Sequence, residues 1–196
     1  MPTAHPIRIA ALLLSLLVAA CGGGEERRDF PPLRYDYLPP IQLNVAALEV
    51  EPRFVSSGTG ADVTAQAPVR PVDALTTMGR DRLSPLGGSG RAVLAIQDGS
   101  LIRRGDTIRG SMAVGLTIFR DDGGRAGFVE ARVSRTSSGG SGSLRGRLYD
   151  LVEAMMNDMN VELEFQIRRN LKDWLNVPTA ASTTVEQAPL APPSSR

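Results

Sequence analysis

The chain has 196 residues, with 22 Lys and Arg against 21 Asp and Glu, so no strong field of one sign forms and nucleic acid is excluded as the main partner. Its one histidine, His5, and its one cysteine, Cys21, lie near the N-terminus, and Lys172 is the only lysine. The remainder lacks the side chains for Ser-His-Asp or Cys-His catalysis, for the usual zinc, copper and haem ligand sets and for a P-loop, which leaves carboxylate chemistry to be weighed.

In chain order, MPTAHPIR carries Arg8 and no acid, and Ile9 to Ala20 is uncharged. Such a run rises about 18 Å as a helix, short of the ~30 Å hydrocarbon core of a membrane, and suits the apolar region of a secretory signal peptide. Residues 1–20 are expected to be that signal, ending in the small residues Ala19 and Ala20 before Cys21. Residues 21–40, with GGGEERRDFPPLRYDYLPP after the cysteine, combine glycine, mixed charge and Pro-Pro pairs, the composition of a flexible tether. Phe30, Tyr35 and Tyr37 in it are candidates for docking, either onto a partner or onto their own domain.

Residues 41–177 are expected to fold as one globular domain. IQLNVAALEV alternates at Ile41, Leu43 and Val45 and then shifts phase to Leu48 and Val50, predicting a strand with a bulge near Ala46–Ala47. Gly58 to Val69 is a loop. PVDALTTMGRDRL opens with a proline suited to a first helical turn and puts Val72, Leu75, Met78 and Leu83 on one side. RAVLAIQDG is a short apolar strand, and TIRGSMAVGLTIF and RAGFVEARVSR alternate on either side of Asp121-Asp122-Gly123-Gly124, a hairpin signal. TSSGGSGS reads as a connector. Leu144 to Leu175 repeats apolar residues at helical spacing through Leu148, Val152, Met156, Met159, Leu163 and Ile167. VELEFQI also alternates at period two, so the run leaves open whether residues 157–167 continue the helix. The expected fold is α+β, a single antiparallel or mixed sheet of about four strands with two helices on one face, in the order strand-helix-strand-strand-strand-long helix. Residues 178–196, rich in proline and small polar residues, are expected to be a disordered tail.

Asp121 and Asp122 are a candidate carboxylate pair or cation site, though aspartate also favours hairpin turns. Asp158 and Glu162 stand four apart on one helix face and are candidates for glycosidic or hard-cation chemistry, with a solvated face as the plainer reading. Met155, Met156 and Met159 suit either an adaptable groove or an ordinary core. Arg103-Arg104 and Arg168-Arg169 are candidates for lipid headgroups or acidic polymers, or are plain surface.

Val18-Ala19-Ala20-Cys21, preceded by Leu17, resembles the lipobox of bacterial lipoproteins, against the competing reading of a buried or free thiol. The resemblance implies acylation at Cys21, hence attachment to a membrane through lipid, and Gly22 at the next position implies the periplasmic face of an outer membrane. The strand after YDYLPP, the helix around ALTTMGRDRL, the hairpin around FRDDGGRAGF and the helix LYDLVEAMMNDM, together Tyr35 to Leu175, are similar in layout to YajG-type lipoproteins and to the auxiliary lipoproteins of ABC-type lipid-transport systems. The expectation is a non-catalytic binding or assembly module of the cell envelope, with no cofactor or metal and an envelope protein as partner. The alternative is an auxiliary lipoprotein subunit of an ABC-type lipid or envelope-component transporter.

Overall fold

A computed structural model describes residues 28–140 and 142–176 of the chain; the expected signal peptide, Cys21 and the C-terminal tail lie outside the described residues. The strands are β1 (Ile41–Leu43), β2 (Ala47–Pro52), β3 (Leu83–Pro85), β4 (Arg91–Arg104), β5 (Thr107–Phe119) and β6 (Arg125–Ser138), and the helices are α1 (Pro71–Arg82) and α2 (Leu144–Asn170). Short 3₁₀ turns occupy Thr64–Gln66 and Lys172–Trp174.

The expected single sheet is corrected to two. β1 pairs in parallel with β3, and a separate mixed sheet runs β2-β4-β5-β6, with β2 parallel to β4 and the rest antiparallel. The run read as one bulged strand, Ile41 to Val50, is divided between the two sheets. Its backbone leaves the strand direction at Asn44–Ala46, where Asn44 N donates to Trp174 O, Val45 N to Leu43 O and Ala46 N to Ser89 O and Gly90 O. With those groups already satisfied and Val45 fully buried, no ladder continues across the break. Pro85, which has no N–H to donate, is the last residue of β3, and contact with the first segment continues through Leu86 N to Leu43 O and Gly87 N to Val45 O.

Local chemistry accounts for the remaining elements. Pro71 fills the first turn of α1, and Arg80 and Arg82 lie in its last turn, where cations suit the helix dipole. The expected hairpin forms between β5 and β6: Asp122 Oδ1 accepts from Gly124 N at 2.7 Å, and Gly123 sits at φ +80°, a conformation glycine adopts without penalty. Gly79, which lowers helix propensity, is where α1 meets the sheet: a Cβ there would stand 2.6 Å from Leu94 Cδ2.

α2 is capped by the Ser143 side chain, which accepts from Gly146 N, and runs unbroken for 27 residues. The period-two apolar run in VELEFQI does not make a strand. Only Leu163 and Ile167 of it are buried, while Val161 and Phe165 are exposed, as a helix with one inward face requires. Both helices pack on the same face of the larger sheet. Leu94, Ile96, Met112, Leu116 and Ile118 from the strands meet Leu75 and Met78 from α1 and Leu148, Met155, Met159 and Leu163 from α2 in one core.

Residues 28–40, expected as part of a flexible tether, are instead a strap laid along both helices. Arg28 is ion-paired with Asp150, the Phe30 ring lies 5.3 Å from that of Tyr149, and Tyr149 Oη donates to Pro31 O at 3.1 Å. Asp81 accepts from Arg34 Nε at 3.0 Å and from Tyr35 N at 2.9 Å. Tyr35 is buried while Tyr37 is exposed. Arg82, itself buried, closes the strap by donating to Pro39 O and joins it to α2 through Glu164 Oε2 at 2.5 Å and Asn160 Oδ1 at 3.3 Å. Composition hides this arrangement because three apolar side chains, Leu33, Tyr35 and Leu38, suffice to seat the segment between prolines.

Candidate functional site

Among the described residues, no helix covers the second face of the four-stranded sheet. Alternation along the strands sends Val93, Ala95, Ala113, Gly115 and Thr117 to this side, all small, so the middle of the face is low. Larger residues stand around it. Arg91 and Phe119 face each other across β4 and β5, Phe119 also faces Arg125 across β5 and β6, and Thr117 faces Phe128. A break in register after Ile96 places Gln97 over the trough, so that a Cβ on Gly115 would come within 2.6 Å of its Nε2.

The result is a shallow cavity of about 260 Å³ floored by Val93, Ala95, Gly115 and Thr117 and rimmed by Arg53, Arg91 and Arg125. Two guanidinium groups lie on aromatic faces, Arg91 over Phe119 and Arg125 over Phe128, each 4.6 Å from the ring centroid. Arg53 is held by Glu51 at 2.5 Å and Arg91 approaches Glu49 at 3.3 Å, whereas Arg125 has no carboxylate partner among the described residues. Stacked, oriented arginines over an apolar floor suit a ligand or partner segment with an anionic group and a flat or apolar body. These residues escaped sequence reasoning. The register of the Asp121–Gly124 hairpin sets Phe119 beside Arg125, but Arg91 joins them only through the separate pairing of β4 with β5, which no single stretch of sequence announces.

The residues singled out from the sequence are dispersed. Asp121 and Asp122 serve the β5–β6 turn, Asp121 Oδ1 accepting from Gly90 N and Asp122 Oδ1 from Gly124 N, both at 2.7 Å. Asp158 lies on α2 and is paired with Arg135 of β6, whose hydrogen bonds hold its carboxyl below the usual range. Glu162, one turn on, accepts from Gln166 Nε2 at 2.8 Å. These two pairs of acids do not converge on a common cleft. Met155, Met156 and Met159 are fully buried, so the interface beneath α2 is filled and contains no apolar groove among them. Arg168 pairs with Glu164, and Arg169 lies over Phe165. For Glu164, burial acts to raise the carboxyl, but the hydrogen bonds and charges of Arg168 and Arg82 outweigh it and hold it low. Phe30 and Tyr35 are docked on their own domain.

A second, more open groove of about 450 Å³ runs between the end of β6 and the first turns of α2, lined by Arg135, Ser137, Ser138, Arg147, Asp150 and Leu151 among others. Its charged groups are engaged: Arg147 Nη1 donates to Asp106 Oδ1 at 2.7 Å, Arg135 binds Asp158 and Asp150 binds Arg28. Arg147 Nε is buried with no acceptor among the described residues.

No family model matches the sequence, and no curated protein matches it. Two solved structures overlap with the chain in part. One, of a candidate lipoprotein from Caulobacter crescentus CB15, is 12% identical, with a TM-score of 0.35, and the match covers 50% of this chain and 78% of that one. The other, of a minor lipoprotein from Acinetobacter baumannii, is 14% identical, with a TM-score of 0.31, covering 63% of this chain and 94% of that one. Likeness at those scores carries no argument about what this chain does.

Proposed function

We propose that the chain is a lipid-anchored lipoprotein of the bacterial envelope, held at Cys21 on the periplasmic face of the outer membrane, that works without catalysis as a binding or assembly module. Val18-Ala19-Ala20-Cys21 supports the anchor. The observation that carries the binding role is the asymmetry of the four-stranded sheet: both helices and a filled core lie on one face, while the other offers stacked arginines around an open trough. The alternative of an ABC-transporter subunit that shelters an apolar ligand beneath α2 finds no space between the buried methionines there.

Two measurements test the reading. Intact mass of the membrane-fraction protein should equal residues 21–196 plus a diacylglyceryl and an acyl group, and a Cys21→Ser chain should be unmodified and released. A photo-cross-linker at Thr117 should trap one envelope component, and Arg125→Glu with Phe128→Ala should reduce the adduct to background while thermal unfolding is unchanged. An unmodified Cys21 rejects the anchor, and undiminished adduct in the double variant rejects the open face as the binding site.

A further inference from the structure

We propose that the pole of the domain built from the β4–β5 turn, the end of β6 and the first turns of α2 docks onto anionic lipid headgroups; this rests on the anchoring at Cys21 put forward above. The first support is reach. The strap begins at Arg28, fixed to Asp150 and stacked beside Tyr149 at the start of α2. Arg28 lies seven positions after Cys21, so the two are at most about 25 Å apart. The opposite pole, at the Asp121–Gly124 hairpin, lies about 45 Å away along strands of 13 and 14 residues. Acyl chains at Cys21 therefore hold the α2 pole, and not the hairpin pole, next to the bilayer.

Charge supplies the second support. At this pole Arg28 is balanced by Asp150 and Arg147 by Asp106. Arg103 and Arg104 before the β4–β5 turn, Arg109 shortly after it and Arg145 in the first turn of α2 are all exposed, and none forms an ion pair with a described residue. Asp29, Glu153 and Asp62, the last bridged to Ile102 beside Arg103, are acids near them without an ion pair, still fewer than the arginines they oppose. The first turn of α2 contains no acid, although a helix N-terminus favours negative groups, and holds arginines instead. The polar groove between Ser137, Ser138 and Arg147 opens at the same end. An external layer of phosphate charge satisfies the exposed arginines and the N-terminus of α2 at once. The attachment is peripheral, since among the described residues no helix is long and apolar enough to cross a membrane.

The test uses the full lipidated chain in vesicles, spin-labelled through Ser138→Cys at this pole or Ser89→Cys near the hairpin, with a nickel-chelating lipid as relaxing agent. In vesicles containing phosphatidylglycerol, the label at 138 should be strongly relaxed and the label at 89 should not. The contrast should shrink in phosphatidylcholine vesicles, at high salt and in Arg103→Gln/Arg104→Gln/Arg145→Gln, whose side chains each add roughly fivefold to association with an anionic surface. Those arginines bind no carboxylate in the fold, so circular dichroism should be unchanged. Equal relaxation at both positions in anionic vesicles, with the chain still vesicle-bound, overturns the docking surface and leaves the anchor standing. A second spin label on an unmodified Cys21 overturns the anchor and the docking surface with it.

Discussion

On the helix-covered face of the larger sheet Leu94, Ile96, Met112, Leu116 and Ile118 are buried beneath α1 and α2, while on the open face Val93, Ala95 and Ala113 are buried with no element over them. The covered residues are large and are hidden by other elements. Those on the open face are small and are hidden by the stems of their neighbours, Arg91, Gln97, Arg125 and Phe128 among them. Ala92 to Ile96 is therefore an unbroken buried run of the kind that sheets covered on both sides show, in a sheet with only one layer against it. Burial alone does not say that a face is used up by folding. On the open face the cover is made of side-chain stems, not of a second layer.

The largest blow to the covered side should come from Arg82→Met. It removes the donor that joins the strap, α1 and α2, leaving Asn160 Oδ1 and Pro39 O without that donor and Glu164 held by Arg168 alone, a loss of about 3–5 kcal/mol measurable by urea unfolding. Adjacent positions on β5 then give the sharpest contrast. Leu116→Ala, on the covered face, should cost about 2–5 kcal/mol, whereas Thr117→Ala, on the open face, should stay within about 0.5 kcal/mol. Equal costs at the two would erase the distinction between the faces.

The smallest effect concerns Tyr35, whose hydroxyl is buried without a partner among the described residues. Burial pushes its ionisation far above the ordinary value of 10.0, helped by the neighbouring charge of Glu153 and Asp81. The folded state thus holds the phenol proton more tightly than the unfolded chain does. Its contribution to stability is intact below pH 10 and is lost as pH climbs from there toward the folded value. Tyr35→Phe should leave neutral-pH stability equal or raise it by up to about 1 kcal/mol, and should remove that alkaline loss in denaturant titrations above pH 10.

Much of the fold is legible in the sequence wherever one segment suffices to decide it: Pro71 starts α1, Asp121–Gly124 turns β5 into β6, and the apolar spacing from Leu148 to Ile167 carries α2 past its strand-like stretch. What the chain does not announce is partnership. Alternation assigns faces but not neighbours, so Ile41–Val50 reads as one strand although its halves join different sheets. Proline and charge make residues 28–40 read as a tether with its docking partner left open, because the acceptor that seats them, Asp81, lies more than forty residues on. The open-face site was illegible for a related reason: Arg91, Phe119 and Arg125 are ordinary surface residues until the register places them side by side. Cys21 is the reverse case: its expected acylation is read entirely from its neighbours in sequence and lies outside the described residues.

The parallel pairing of β1 with β3 and of β2 with β4 also sets an order of assembly. The meander β4-β5-β6 closes through short turns and can zip from its hairpins. The two N-terminal strands must each find partners about forty residues away, a closure that costs about 2–3 kcal/mol more in chain entropy than a two-residue turn. Slow, non-local pairing of this kind follows local structure in time. The N-terminal strands and the strap that precedes them are therefore the last parts of the domain to settle.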